Sequence, residues 1–118
     1  MEFDYKGFMQ DFAIADIFGE SAVRDTYKRC EEWKDNAEYW AALVLTLNHR
    51  GWMYSDKGND KMCRLYTELW EKAHDHGLSH FKGEDAELYF RLTDLKKERT
   101  YKYGQPSNLL PYSRKDPR

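Results

Sequence analysis

Proline is scarce in this sequence, and all three prolines lie beyond Arg99. With Gly104 they punctuate a stretch that cannot continue as a helix. No β-branched run alternates with polar residues between turn signals, so no strand is predicted. No stretch approaches the roughly 20 apolar residues that a membrane-spanning helix needs. These absences favour an all-α protein that does not enter a membrane.

Cysteine is scarce as well, and no export signal is found. Cys30 and Cys63 lie on separate predicted helices, close to the apolar stripe of each. A disulfide between them is geometrically possible. However, the low cysteine usage and the acidic start Met1-Glu2-Phe3-Asp4-Tyr5 favour buried free thiols in a reducing compartment. We therefore predict a cytoplasmic protein.

Sequence motifs for catalysis are also missing. The chain has no Cys-x-x-Cys pair, no Gly-x-Ser-x-Gly elbow and no glycine-rich phosphate-binding loop. It also lacks the Glu-x-x-His motif of di-metal carboxylate bundles. We therefore predict a protein that is not an enzyme and that uses no cofactor.

Two amphipathic helices between Asn36 and Gly77 are the clearest positive signal. Both show apolar residues at the i, i+3, i+4, i+7 spacing that forms one stripe of an α-helix. Only the turn at residues 56–59 separates them, and so short a link makes the two helices antiparallel neighbours. The stripe residues are Tyr39, Trp40, Leu43, Val44, Leu47 and Tyr54 on the first helix, and Met62, Leu65, Tyr66, Leu69, Trp70 and Ala73 on the second.

Three further helices complete the prediction. A first helix has Phe8, Phe12, Ala15 and Phe18 inward, with Ile14 and Ile17 widening its apolar face and Gly19 ending it. A second runs from about Ser21, as its N-cap, to Trp33, and a last one covers about Glu84–Glu98 with Leu88, Leu92 and Leu95 inward. We predict a compact array of four to five helices in a single domain over residues 1–95. A flexible basic C-terminal tail would cover residues 96–118, with the last helix extending to about residue 98.

Charge is distributed unevenly along the chain. Residues 1–95 contain 12 basic and 19 acidic side chains, whereas residues 96–118 contain 7 basic and 2 acidic ones. Basic residues interleaved with tyrosines are typical of sequence-tolerant nucleic-acid binding, although an acidic body repels a polyanion. The tail would otherwise lie on its own acidic body or serve as the arm of an oligomer. The nucleic-acid alternative rests on Lys96, Lys97, Arg99, Lys102, Arg114 and Lys115.

A histidine cluster gives a third functional hypothesis. His74, His76 and His80 fall within seven residues, and neutral imidazole is a favoured zinc ligand. We expect Gly77 to end the preceding helix at about His76, which separates His76 from His80. The better interpretation is that these histidines interact with the carbonyl end of a helix.

Aromatic residues are unusually abundant, with 4 Trp, 9 Tyr and 6 Phe. A thick aromatic core is one explanation, and an exposed protein interface is the other, since aromatics are enriched at interfaces. A homo-oligomer would reconcile the two. Our leading hypothesis is a protein-interaction or accessory protein that binds an unidentified protein or itself. The interface residues it predicts are Trp40, Trp52, Tyr66 and Trp70.

Several short stretches carry a resemblance. They are Asp25-Thr26-Tyr27-Lys28-Arg29, Glu32-Trp33-Lys34, the stretch from Leu43 to His49, and Glu68-Leu69-Trp70-Glu71-Lys72-Ala73. In this order they resemble a group of small proteins of bacterial mobile elements and phages, particularly of gut anaerobes. The resemblance covers residues 1–95, implies a bacterial cytoplasmic setting, and brings no known activity with it.

Overall fold

A computed structural model describes the backbone of residues 5–100 and the side chains of residues 10–93. Within residues 5–100 the chain forms five α-helices and one 3-10 turn, without a strand, so the all-α prediction is confirmed. The helices are α1 (Tyr5–Phe18), α2 (Glu20–Cys30), α3 (Ala37–Asp56), α4 (Asp60–His80) and α5 (Gly83–Thr100), and the 3-10 turn is Glu31–Trp33.

Helices α3 and α4 form the predicted antiparallel pair at the centre of the fold. Trp40 donates its indole N–H to the carbonyl oxygen of Ala73 at 2.7 Å. Tyr54, later on α3, stacks on Tyr66, earlier on α4, with ring centroids 5.9 Å apart. Residue numbers therefore rise along one helix as they fall along the other. The link between them contains Gly58, whose φ of 73° suits a residue without a Cβ.

Asparagine side chains cap the N-termini of both central helices. The side chain of Asn36 accepts a hydrogen bond from the amide of Tyr39, and that of Asn59 accepts one from the amide of Met62. Each bond satisfies one of the amides that the first turn of a helix leaves unpaired. These caps explain why α3 and α4 begin just after the polar residues at 34–36 and 56–59.

The start of α2 differs from the prediction. Gly19 occupies the N-cap position with a φ of 104°, and no side chain caps the helix, so Ser21 is not the cap. A left-handed glycine turns the chain sharply there, and α2 already begins at Glu20. At its other end α2 tightens into the 3-10 turn over Glu31–Trp33.

The end of α4 also corrects the prediction, because the helix continues through Gly77 to His80. Gly77 is buried inside the helix and faces the ring of Tyr89 on α5. A Cβ at this position would lie 2.2 Å from the Tyr89 Cζ atom. Gly77 therefore permits close packing between two helices and does not stop one of them.

The core is aromatic and continuous from α1 to α5. Its cysteines, Cys30 and Cys63, are free and buried, as predicted. Burial raises the pKa of the Cys30 thiol to about 11. None of the helices within residues 5–100 has the length and apolar character needed to cross a bilayer. The largest fully buried side chains are Trp40, Trp70, Tyr66, Tyr89, Phe12, Leu43, Leu47, Val23, Val44 and Cys63.

Candidate interaction surface on the first helix

The four aromatic residues predicted as an interface lie in the core. Their exposed fractions are 2% for Trp40, 6% for Trp52, and 0% for both Tyr66 and Trp70. Helix α3 is packed against both α4 and α5, so aromatics on different sides of it are all covered. These residues therefore do not form an exposed patch, and the alternative of a thick aromatic core describes them correctly.

The three histidines of α4 point to different neighbours. Because α4 is continuous, His76 and His80 share a face, and their ring centroids are 4.4 Å apart. The Nε2 atom of His80 lies 2.6 Å from Oδ1 of Asp35. His74 instead stacks on Trp70 and places Nδ1 2.7 Å from the hydroxyl of Tyr89. Within the described side chains, no three His, Cys, Asp or Glu residues are arranged to hold a metal ion.

The predicted nucleic-acid residues fall outside the described side chains. Helix α5 extends to Thr100, so the backbone at residues 96–100 is helical, slightly beyond the predicted boundary at residue 98. The six basic residues of that hypothesis all lie beyond residue 93, the last one whose side chain the structure describes. The nucleic-acid alternative stays a prediction.

A different surface is exposed and apolar. Ile14, Ile17 and Phe18 on α1 have exposed fractions of 48%, 79% and 75%. They are spaced i, i+3 and i+4, so they lie side by side on one face of the helix. The opposite face of α1 carries Phe12 and Ala15, which are 0% and 4% exposed. The second half of α1 is thus apolar on both sides, although only one side packs on the body of the protein.

Helical spacing explains why Phe18 is exposed, although the apolar pattern predicts it to face inward. Phe18 lies six residues after Phe12, which corresponds to a rotation of about 240° around the helix. When Phe12 faces the core, Phe18 must therefore face away from it. Ile14 and Ile17 are exposed for the same reason. The sequence contained this signal, but it was obscured because the whole helix is apolar.

A partly buried polar cluster holds α1 against α3 and α4. Oδ2 of Asp16 accepts hydrogen bonds from Nε of Arg50 at 3.1 Å and from the hydroxyl of Tyr54 at 2.6 Å. Nη2 of Arg50 also donates to Oδ2, and the hydroxyl of Tyr66 donates to Oδ1. The Asp16 cluster, as we call these four residues, joins groups 34 to 50 positions apart in the chain.

The charges of the Asp16 cluster depend on one another. The side chains of Arg50 and Asp16 are only 14% and 7% exposed, so either charge alone would be costly. Asp16 also lies in the last turn of α1, where the helix dipole disfavours a carboxylate. Burial, the largest single influence, lowers the pKa of Arg50, but the hydrogen bonds and charge interactions with Asp16 and Tyr66 together outweigh it, and the pKa is raised. The pKa of Tyr66 is also raised, mainly by burial and next by its hydrogen bond to Asp16.

The Asp16 cluster also determines which side of α1 is exposed. Asp16 is four residues after Phe12, so both side chains lie on the face that meets the body. Phe12 packs edge-on against the ring of Tyr66, with centroids 6.1 Å apart. An apolar contact and a charged contact thus fix the rotation of α1 about its own axis. As a result, Ile14, Ile17 and Phe18 face outward, and we call these three residues the α1 apolar face.

No protein-family model matches this chain, and neither a curated protein nor a solved structure matches it. The resemblance to small proteins of mobile elements therefore stays a prediction. The function of the α1 apolar face has to be argued from its own geometry and chemistry.

Proposed function

We propose that this chain is a small non-enzymatic protein that binds a partner protein through the α1 apolar face. The observation that supports this most is the exposure of Ile14, Ile17 and Phe18 as adjacent neighbours. Single exposed apolar side chains are common, but a contiguous group of them is typical of an interaction site. Fully burying a large apolar side chain contributes about 1.5–3 kcal/mol; Ile17 and Phe18 have most of this to gain and the half-covered Ile14 about half of it.

The Asp16 cluster makes this surface well suited to binding. A helix held in one orientation presents its anchors without the entropy cost of ordering them during association. Anchors at i, i+3 and i+4 are the pattern by which an amphipathic helix fits an apolar groove. The proposed partner therefore offers an apolar groove of about one and a half helical turns.

Charged residues beside the α1 apolar face suggest the character of the groove's rim. Asp11 is exposed and lies seven residues before Phe18, which places both on the same side of α1. Glu20 is exposed just after Gly19, where its carboxylate pairs with Arg24, which also contacts Glu68. These groups leave the surroundings net acidic, so a basic rim on the partner would be complementary.

The setting is also part of the proposal. Two buried free thiols suit a reducing compartment, which supports a cytoplasmic location. The bacterial mobile-element setting is supported by the resemblance described above. Neither inference affects the choice of binding surface.

Capture from a lysate of the cells that encode the protein tests the proposal. The tagged full chain would be compared with Ile17→Glu and with Phe18→Glu, each of which places a charge in the α1 apolar face. Leu78→Glu is the matched control, because Leu78 is 46% exposed on α4. We expect wild type and control to retain the same partner, and both α1 variants to retain at least tenfold less.

The comparison needs two further conditions. Circular dichroism has to show that all four proteins fold equally, which the exposed positions favour. Nuclease treatment distinguishes a protein partner from nucleic acid. Equal capture by the α1 variants would contradict the proposal, and capture that disappears with nuclease would favour the nucleic-acid alternative.

A further inference from the structure

We propose that residues 101–118 of the same chain cover the α1 apolar face when no partner is bound. This inference rests on the proposed function for its surface and adds a regulatory element to it. The partner would have to displace residues 101–118, so the chain would limit its own binding. Three properties of the sequence and the structure support this occupant.

The first property is an apolar complement of the right size. Leu109, Leu110 and Tyr112 lie within four residues of one another, and the rest of residues 101–118 is mainly polar, charged or proline. The α1 apolar face likewise has three large side chains within five residues. Two small apolar groups that are each surrounded by polar residues can cover one another and leave the charges in water.

The second property is charge. Residues 10–93, whose side chains are described, contain 11 basic and 16 acidic residues, a net charge of −5. Residues 101–118 contain 4 basic residues and 1 acidic residue, a net charge of +3. Arg114 and Lys115 closely follow the apolar residues and would meet the acidic surroundings of Asp11 and Glu20. A symmetric contact between two copies would place those acidic surroundings against each other, which is unfavourable.

The third property is reach. Leu109 and Tyr112 lie 9 and 12 residues after the end of α5 at Thr100, so an extended chain carries them at most about 30–40 Å from it. This reach is comparable with the longest dimension of the structure, 39 Å, so a contact with α1 is sterically possible. A tethered contact also benefits from a high effective concentration, of millimolar order for a short connection. Even a weak contact would then be populated in the free protein.

Paramagnetic relaxation in the full chain tests this contact. Ser113→Cys provides a site for a spin label next to the apolar residues, and the native thiols of Cys30 and Cys63 are buried and protected from labelling. We expect amide signals of residues 13–21 to fall below half of their diamagnetic intensity. Signals around Leu78 and Phe90, which are exposed elsewhere, should keep their intensity.

Two comparisons show whether the contact is the one proposed. The double substitution Leu109→Asp and Leu110→Asp in the labelled chain should restore the signals of residues 13–21. Uniform attenuation, or none at residues 13–21, would overturn the inference. A mixture of isotope-labelled chain and spin-labelled chain detects contacts between molecules, and attenuation that arises only there would overturn it in favour of a second copy.

The relaxation experiment and the partner-capture experiment can fail independently of each other. If Ile17→Glu leaves partner capture unchanged while the attenuation persists, the binding proposal fails and the contact within the chain stands. If the attenuation is absent while Ile17→Glu abolishes capture, the binding proposal stands without this regulation. If both hold, Leu109→Asp with Leu110→Asp should increase partner capture at least threefold.

Discussion

At the scale of single residues, Asp16 is a carboxylate shared by donors from two other helices. Replacing it as Asp16→Asn removes the negative charge and leaves the Arg50 guanidinium largely buried without compensation. Breaking a buried ion pair in this way costs about 3 kcal/mol or more. We expect that loss in the free energy of unfolding, measured with urea.

The exposed pair of Glu20 and Arg24 provides the matched control. Both side chains are more than 40% exposed, so Glu20→Gln should change stability by less than about 1 kcal/mol. The double variant Asp16→Leu with Arg50→Met, which removes both charges, should recover much of the loss. A loss for Asp16→Asn no larger than that for Glu20→Gln would show that the Asp16 cluster does not hold α1.

At Asn48, in contrast, we predict a substitution that increases stability. Its side chain is 3% exposed, and neither its amide nitrogen nor its amide oxygen has a hydrogen-bond partner in the described part of the chain. A buried polar group without a partner costs about 1–3 kcal/mol. Leucine has the same branched arrangement of heavy atoms without the polar groups, so we expect Asn48→Leu to raise the urea midpoint. A lower midpoint would show that the amide does make bonds in solution.

At the scale of helices, Gly77 controls how closely α4 approaches α5. Inside a helix, alanine is normally more stable than glycine by up to about 1 kcal/mol. Here a Cβ would meet three atoms of the Tyr89 ring at 2.2 to 2.7 Å. Overpacking of this kind costs about 1–3 kcal/mol, so Gly77→Ala should lower the melting temperature.

Removing the ring of Tyr89 tests whether the clash with this ring is what lowers the melting temperature. In a Tyr89→Ala background the ring is absent, and Gly77→Ala should then be neutral or stabilising. If Gly77→Ala raises the melting temperature of the wild-type chain, the two helices are farther apart than described.

The helices themselves were largely predictable, because apolar spacing is a local property of the sequence. The positions at which the helices begin and end were less predictable. Gly77 has the features of a helix stop, yet its role depends on Tyr89, twelve residues later on another helix. Gly19 follows the end of α1 as the sequence predicts, but its left-handed conformation makes it the N-cap of α2 as well, in place of Ser21.

At the scale of the whole molecule, the aromatic core makes stability sensitive to alkaline pH. Burial is the main cause that raises the pKa of four core tyrosines, which stay neutral when the protein is folded. In the unfolded chain they ionise near pH 10. The unfolded state therefore loses protons first, and stability falls as the pH rises. These residues are Tyr27, Tyr39, Tyr66 and Tyr89.

The free energy of unfolding should depend steeply on pH above about 10. Each such tyrosine contributes up to about 1.4 kcal/mol of lost stability per pH unit above 10. We expect the urea midpoint to begin to fall above about pH 8.5, where the thiols of Cys30 and Cys63 ionise in the unfolded chain but not in the folded one, and to fall more steeply between pH 10 and 11. A midpoint unchanged at pH 11 would indicate that the tyrosine hydroxyls are exposed to water.

The proposed binding surface was harder to predict than the fold. Surplus aromatics are typical of an interface, but α3 has neighbours on several sides, so its aromatic residues are buried in the core. The Asp16 cluster depends on residues 34 to 50 positions apart, which a single sequence does not bring together. Once Asp16 and Phe12 are known to face the body, the exposure of Ile14, Ile17 and Phe18 follows from helical geometry.

Site-specific photo-crosslinking shows directly whether the α1 apolar face contacts a partner protein. The full chain would carry p-benzoylphenylalanine in place of Ile17 or, as the control, in place of Leu78, and would be irradiated in the cells that encode it. We expect a discrete, heavier adduct with another protein from position 17 and not from position 78. No adduct from position 17, or the same adducts from both positions, would contradict this expectation.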